Sequence, residues 1–197
     1  MKSAVLVGFK RSPFTIANKG LLASIRPEDI LSQVINDLIK TTKINKEDIE
    51  DIIAGCAYPE GAQGYNIAKI VTFMTGMPEH VGGMTVNRWC GSSMQAIHNA
   101  AGAISMNAGK VFICCGIESM TSVPINGLNY SPHSELLKDQ PNVYLSMGLT
   151  AENVAKKYDI SRKEQQDFAI QSHVNAFKAQ SSNNFDNEIT VIKNQDI

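Results

Sequence analysis

Residues 84–96 have the sequence MTVNRWCGSSMQA, and this stretch decides the fold because a strand-like run passes abruptly into a helix-like one. Residues 84–89 contain the β-branched and aromatic side chains that favour a strand. Residues 91–107 follow with apolar side chains at helical spacing and without a proline. The sequence therefore predicts a strand–turn–helix unit, which is the building block of α/β folds.

Cys90 lies at the junction of this predicted strand and helix. Free backbone N–H groups and the positive end of the helix dipole meet at a helix N-terminus, so a thiolate is favoured there. The small residues Gly91, Ser92 and Ser93 leave room for a carbonyl group, and their N–H groups could stabilise the oxyanion that forms on attack. The pattern indicates a nucleophile, although a buried structural cysteine fits the local sequence equally well.

Strand-like and helix-like segments alternate along the first 120 residues. Strands are predicted at residues 4–9, 52–58, 84–89 and 111–118. Helices are predicted at residues 27–42, 66–75 and 91–107. This alternation predicts an α/β sandwich with a largely parallel sheet that helices cover on both faces.

The character of the sequence changes after residue 120. Pro, Asn, Gly and Asp recur between residues 124 and 142 with weak periodicity, which indicates a long surface loop. Helices are then predicted at residues 150–158 and 162–179, and Ser161 with Glu164 is typical of a capping box before the second. We therefore divide the chain into a core domain, residues 1–120, and the beginning of a second domain, residues 121–197.

Composition excludes several classes of partner. The formal net charge of −1 and the lack of a basic cluster argue against a nucleic-acid partner. No stretch approaches the length needed to span a bilayer, and the apolar run at the start is too short for a signal peptide. With 43% hydrophobic residues the chain can bury a sizeable core. These features predict a cytoplasmic protein that neither spans a membrane nor binds nucleic acid.

The cysteine pattern argues against a metal site. The cysteines are Cys56, Cys90, Cys114 and Cys115. They form no Cys-x-x-Cys pair and have no histidine at ligand spacing, so no metal site is predicted and a reducing compartment is favoured. All except Cys90 lie in apolar strand-like runs and are predicted core residues. Glu118 ends the last of these runs, where either a functional carboxylate or a buried Glu held by backbone donors is expected.

Five segments resemble, in order, motifs of the thiolases, the enzymes that make or cleave the carbon–carbon bond of 3-ketoacyl-CoA thioesters. They are residues 11–14 (RSPF), 66–69 (NIAK), 87–96 (NRWCGSSMQA), 116–121 (GIESMT) and 147–153 (MGLTAEN). A lone Cys-Gly-Ser-Ser would be weak, whereas five ordered segments over essentially the whole chain are specific. The resemblance implies a thiolase-like layered sandwich, with a mostly parallel mixed sheet covered by helices, followed by the start of a loop domain.

The resemblance also implies a mechanism, namely acyl transfer through Cys90 in two steps. The thiolate would attack a 3-ketoacyl-CoA and release acetyl-CoA, and CoA would then remove the acyl group; the reverse reaction condenses acetyl-CoA. Coenzyme A thioesters are the expected substrates, and no tightly bound cofactor is expected. Ser146 and Met147 would line the acyl-CoA pocket, although a core position for Met147 is equally compatible. Residues 93–96 and Ser146 resemble the fatty-acid-degrading branch, which favours a role in β-oxidation.

Thiolases have a second half that supplies a Gly-His-Pro histidine and a Cys-x-Gly cysteine, and the resemblance places both beyond Ile197. The chain would then be the nucleophile-bearing part of an enzyme completed by a complementary C-terminal thiolase chain or by a longer polypeptide. A homo-oligomer, dimer or tetramer, is also implied. The alternative is a non-catalytic thiolase-like fragment that acts as a subunit or interaction partner. Ketoacyl synthases also use a cysteine at a helix N-terminus, but residues 87–93 resemble thiolases more closely.

Overall fold

The computed structural model of the chain describes residues 3–194. They form two compact units: one contains the residues up to Asn129 and resumes at Glu188, and the other spans Tyr130–Asn187. The domain division near residue 120 stays a prediction.

The first unit is built on a parallel sheet of three strands. They are β1 (Asp51–Gly55), β2 (Gly82–Val86) and β3 (Phe112–Gly116), in the order β2-β1-β3. The central strand β1 pairs with both neighbours in parallel, with Asp51 opposite Gly82 on one side and Phe112 on the other. Its residues are almost wholly buried because both edges and both faces are covered.

Three helices cover this sheet on both faces. They are α1 (Pro27–Thr42), α2 (Ile67–Met74) and α3 (Ser92–Ser105). Ile52 and Ala54 of β1 pack in one cluster with residues of α1 and α2. Ile53 packs on the opposite face against Ala96 and Ala100 of α3. Alternate residues of a strand point to opposite faces, so the layers are α1 and α2, the sheet, and α3. The predicted α/β sandwich is confirmed.

The ends of α1 follow from its sequence. Pro27 begins the helix, where its missing N–H costs nothing, and Glu28 and Asp29 place negative charge in the first turn. Lys43 adopts the left-handed conformation after the last turn, and its N–H donates to the carbonyl of Ile39. The helix therefore spans the predicted residues.

The strand predicted at residues 4–9 is wrong. Val5, Leu6 and Val7 are 79%, 78% and 74% exposed, and no strand forms there within the part of the chain that the structure describes. A strand needs a partner strand, and within the described residues the segment 4–9 pairs with none of β1, β2 and β3. The first pairing occurs at Arg11, whose N–H donates to the carbonyl of Glu188 at 2.8 Å. An apolar run without a partner strand thus stays extended and exposed.

The three remaining predicted strands form but end early. The last bonds of the sheet run from the Cys56 N–H to the Val86 carbonyl and from the Ile117 N–H to the Gly55 carbonyl, each at 3.0 Å. Residues 57–58, 87–89 and 118 are therefore loop rather than strand. They lie beyond the carboxyl ends of the three parallel strands, at the same end of the sheet.

The second unit contains three helices. They are α4 (Ser134–Asp139), α5 (Met147–Lys157) and α6 (Arg162–Ser181). The predicted long loop is thus interrupted by the short helix α4. The capping box before α6 is confirmed, since the Ser161 hydroxyl accepts from the Glu164 N–H and the Glu164 carboxylate accepts from the Ser161 N–H. No helix within residues 3–194 is long and apolar enough to cross a membrane.

Candidate nucleophile site

The candidate site lies where the three parallel strands end. The loops after β1, β2 and β3 leave the same edge of the sheet, because parallel strands have their carboxyl ends together. The loop after β2 carries Cys90 and leads directly into α3. This edge is where open α/β sheets bind their ligands.

Cys90 is exposed and lies immediately before Gly91, the N-cap residue of α3. The helix begins at Ser92, one residue later than predicted. Among the residues that the structure describes, no acceptor is bound by the N–H groups of Cys90, Ser93 and Met94. The thiol therefore stands beside a helix end whose donors are free, as the nucleophile hypothesis requires.

The turn that holds Cys90 is closed from inside by Ser92. The buried Ser92 hydroxyl accepts from the N–H of Arg88 at 2.8 Å and donates to the carbonyl of Trp89 at 2.5 Å. The Gly91 N–H donates to the Arg88 carbonyl at 3.0 Å. Trp89 adopts a left-handed conformation, with φ of 47°, which a bulky residue adopts only when its surroundings enforce it.

The same turn is held from outside by Asn87. Its side-chain amide donates from Nδ2 to the carbonyl of Ala57 at 2.8 Å. Its Oδ1 accepts from the N–H of Trp89 at 2.9 Å. The Trp89 ring meets the ring of Tyr58 edge to face, with centroids 5.3 Å apart. These contacts join the loop after β2 to the loop after β1.

Glu118 fixes the loop after β1 from the third strand. Its Oε2 accepts from the Ala57 N–H at 2.7 Å, and its Oε1 accepts from Gln63 Nε2 at 2.8 Å. Gln63 is fully buried, and its amide also accepts from the Ser119 N–H and donates to the Tyr58 carbonyl. Of the two roles open for Glu118, the contacts favour a carboxylate held by donors of the chain itself. The residue is exposed, however, and not buried as expected, because it lies in the loop beyond β3.

The other three cysteines lie in different surroundings from Cys90. Burial, aided by the charge of Glu118, raises the pKa of the Cys56 thiol to about 12. Burial, aided by Cys114, raises the pKa of Cys115 to about 12 as well. Burial also raises the pKa of Cys114, with a smaller contribution from Asp51. These thiols stay protonated at neutral pH, which agrees with their predicted place in the core.

Cys114 and Cys115 do not form a shared site. The Cys114 thiol donates to the carbonyl of Ala96 in α3 at 3.5 Å, whereas the Cys115 thiol donates to the carbonyl of Ile53 at 3.6 Å. Cys114 packs with the cluster beside α3, and Cys115 with the cluster on the opposite face. Within residues 3–194 no group of three or more His, Cys, Asp or Glu side chains could hold a metal ion.

Ser146 and Met147 belong to the second compact unit. Ser146 is the N-cap residue of α5, and its hydroxyl accepts from the N–H of Leu149 at 3.4 Å. Met147 is 73% exposed, so it is not the core residue that the sequence left open. Their part in an acyl-CoA pocket stays a prediction.

The hydrogen bonds that the side chains of Asn87, Ser92 and Gln63 make at this site were not predicted from the sequence. Asn87 offers the clearest signal, since an Asn directly after a strand commonly bonds the backbone N–H two residues on. The bond to Ala57 has no such signal, because it spans 30 residues of sequence. Gln63 lies in a glycine-rich loop that lacks any phosphate-binding pattern.

Comparison with known proteins agrees with this geometry. The family model described as "Thiolase, N-terminal domain" matches residues 4–196. The 3-ketoacyl-CoA thiolase of Bacillus subtilis (strain 168) is 42% identical over 193 residues, covering 98% of this chain and 49% of that protein. The 3-ketoacyl-CoA thiolase of Shewanella loihica is 38% identical over 198 residues, covering 100% and 51%. The chain thus spans about half the length of the curated relatives it matches.

Solved structures show the same likeness. The dimeric peroxisomal thiolase of Saccharomyces cerevisiae superposes with a TM-score of 0.87 at 29% identity, covering 98% of this chain and 51% of that one. The human mitochondrial 3-ketoacyl-CoA thiolase in complex with CoA gives a TM-score of 0.79 at 28% identity, covering 92% and 49%. These similarities confirm the predicted fold class.

Proposed function

Because the chain belongs to the family of thiolase N-terminal domains, we propose that it is the nucleophile-bearing half of a thiolase-type acyltransferase. The observation that carries the proposal is the position of Cys90. Of the chain's cysteines, all within the described residues, Cys90 is the exposed one, and it precedes a helix end with free N–H groups. An accessible thiol in such a place is suited to nucleophilic attack.

The proposed reaction cleaves a 3-ketoacyl-CoA. The Cys90 thiolate attacks the 3-keto carbon, the bond between carbons 2 and 3 breaks, and acetyl-CoA leaves after its carbanion takes up a proton. The thiolate of a free CoA then attacks the acyl thioester and restores Cys90. Free N–H groups at the start of α3 can donate to the oxyanion of each step. The reverse sequence condenses two acetyl-CoA molecules through acetyl-Cys90.

The groups that move protons in this reaction are proposed to come from a second half. A Gly-His-Pro histidine would activate the nucleophile, and a Cys-x-Gly cysteine would transfer the substrate proton. The lengths of the relatives support this division, since the chain covers 49% of one and 51% of another. A complementary polypeptide or a longer chain would supply them.

Substrate, assembly and compartment are proposed on the same basis. The CoA-bound human neighbour supports CoA thioesters as substrates. The place of Ser146 and Met147 in an acyl-CoA pocket is proposed from the resemblance of residues 147–153 to the thiolase segment alone. The dimeric yeast neighbour supports a homo-oligomer. The relatives named 3-ketoacyl-CoA thiolase support cleavage of 3-ketoacyl-CoA as the reaction. A role in β-oxidation is proposed from the resemblance of residues 93–96 and Ser146 to the fatty-acid-degrading branch, and a cytoplasmic location from the cysteine pattern.

A non-catalytic role is the second candidate. Met94 and Ile97 of α3 are 57% and 49% exposed, and the apolar segment 5–7 is exposed as well. Surfaces of this kind bind other protein chains. A thiolase-like subunit that only docks would need these surfaces but not the Cys90 thiol.

Transfer of an acetyl group tests the two candidates. The chain is mixed with the C-terminal half of the Bacillus subtilis relative and with acetyl-CoA, and acetylated peptides are mapped by mass spectrometry. We expect acetyl-Cys90 in the wild type and none in Cys90→Ser, while Cys56→Ser behaves as the wild type. Formation of the complex without acetylation of Cys90 would favour the docking subunit.

A further inference from the structure

The side chain of Asn87 joins the loop that carries Cys90 to the loop after β1 by a hydrogen bond, beside the ring contact between Trp89 and Tyr58. Its amide binds the Ala57 carbonyl at 2.8 Å and the Trp89 N–H at 2.9 Å. Ala57 is itself held, because its N–H donates to Glu118 at 2.7 Å. A line of hydrogen bonds therefore runs from the end of β3, through the loop after β1, to the residue that precedes Cys90.

This position requires a side chain that both donates and accepts. The Ala57 carbonyl can only accept, and the Trp89 N–H can only donate, so the orientation of the Asn87 amide is determined by its two partners. A carboxylate would place one acceptor against another at Ala57. A hydroxyl could reach the N–H two residues on, but it is too short to span to the neighbouring loop.

The bond to Trp89 acts where the backbone is sterically disfavoured. Trp89 has φ of 47°, and the conformation sets the direction in which the next residue leaves the turn. Ser92 fixes the inner side of the turn, whereas Asn87 is its link to another strand-end loop. Without Asn87 the turn would keep its inner hydrogen bonds and the ring contact with Tyr58, and it would lose its side-chain hydrogen bond to the loop after β1.

We propose that Asn87 is a positioning residue, whose amide holds the turn at Trp89 so that the Cys90 sulfur is presented at the N-terminus of α3. This inference rests on the proposed role of Cys90 as nucleophile. Loss of the bridge lets the sulfur move away from the helix end, where the dipole and the free N–H groups favour negative charge.

The test compares Asn87→Ala and Asn87→Ser with Asn45→Ala in the 197-residue chain. Asn45 is a matched control, because its Oδ1 also accepts from the N–H two residues on, that of Glu47, at 3.3 Å. Rates of Cys90 alkylation by iodoacetamide are measured at pH 7 and pH 10. Fluorescence anisotropy reports Trp89, which is the single tryptophan of the chain.

We expect Asn87→Ala to slow Cys90 alkylation at pH 7 by about two- to fivefold, the range of a helix-terminus effect. At pH 10, where an ordinary exposed thiol is ionised, the difference should vanish. The fluorescence anisotropy of Trp89 should also fall in Asn87→Ala. In both the alkylation rate and the anisotropy, Asn87→Ser should lie between Asn87→Ala and the wild type, and Asn45→Ala should match the wild type. If Asn87 only stabilised the fold, Asn87→Ala would instead lower the midpoint of thermal unfolding and make Cys56 and Cys115 accessible to alkylation.

Equal rates and equal anisotropy in the wild type and Asn87→Ala would overturn the inference. If Asn87→Ala does not fold, Asn87→Ser decides, and wild-type behaviour in that variant overturns the inference too. Acetylation of the complemented wild-type chain shows whether the proposed function fails, independently of the Asn87 variants. In that case Cys90 takes no acetyl group in the complemented chain, whatever Asn87 does to its alkylation.

Discussion

Glu118 accepts a hydrogen bond from the backbone N–H of Ala57 at 2.7 Å, and this bond joins the loop that follows β3 to the loop that follows β1. The carbonyl of Ala57 accepts a hydrogen bond from the side chain of Asn87, which follows β2. The three strand-end loops are therefore bound to one another through Ala57. The loop that carries the exposed Cys90 is therefore held by the two neighbouring loops at the carboxyl ends of the strands, and such support fixes the geometry of a site.

Replacement of Glu118 should destabilise the first unit. Glu118→Ala leaves the Ala57 N–H and one of the two hydrogens of the buried Gln63 amide without an acceptor, and an unpaired buried polar group costs about 1–3 kcal/mol. Urea unfolding measures the change in the free energy of unfolding. Glu79→Ala is the control, since Glu79 is exposed and has no hydrogen bond within residues 3–194. Equal stability of the two variants would contradict the role of Glu118.

Alkylation should select Cys90 among the four cysteines. Cys56 and Cys115, with pKa values of about 12, hold a thiolate fraction on the order of 10⁻⁴ at pH 8, so they react slowly even where reagent reaches them. Limited iodoacetamide treatment followed by peptide mapping should label Cys90 first. Labelling of Cys56 at the same rate as Cys90 would count against the nucleophile assignment.

Acid should weaken the attachment of residues 188–194 to α1. A hydrogen bond from the Thr190 hydroxyl, at 2.8 Å, together with Lys10 at 3.3 Å, holds the pKa of Asp37 below its usual value of 3.8. The unfolded pKa exceeds the folded one, so this stabilisation is present above about pH 4 and is lost as pH falls through the folded value. Asp37→Asn should therefore reduce the free energy of unfolding more at pH 7 than at pH 2. An equal effect at both pH values would refute this account.

The chain alone should show little or no thiolysis of acetoacetyl-CoA or of longer 3-ketoacyl-CoAs. General acid–base help of about 10²–10⁴ in rate is expected from the histidine and cysteine of the second half. Release of acetyl-CoA is measured with and without that half, and Cys90→Ala serves as the inactive control. Robust turnover by the chain alone, lost in Cys90→Ala, would show that the second half is not needed.

The chain should associate in solution as a dimer or a larger assembly. Met94 and Ile97 on α3, Tyr65 before α2 and the segment 5–7 expose apolar side chains that water disfavours. Light scattering at micromolar concentration gives the molar mass, and Met94→Lys with Ile97→Lys tests whether α3 is the face involved. A stable wild-type monomer would remove the support for a homo-oligomer.

Local patterns were sufficient to predict most of the elements of this protein. The apolar stripe and the proline at residue 27 predict α1, and the capping box predicts the start of α6, because these signals act within one helical turn. The alternation of strand-like and helix-like segments predicted the parallel sheet, and the change at Cys90 from one to the other predicted a thiol at the start of α3.

The sequence by itself therefore determined the class of fold and the order of its elements, and it predicted Cys90 as the nucleophile. Tertiary structure alone decided that residues 4–9 form no strand, since that depends on a neighbouring strand edge and not on β propensity. It also decided the distant partners of three side chains, which are Ala57 for Asn87, Glu118 for Gln63 and Ala57 for Glu118, 30 to 61 residues away along the chain. Hydrogen bonds over such separations exist only once the strand ends meet, because no pattern within a segment specifies which distant group will lie opposite.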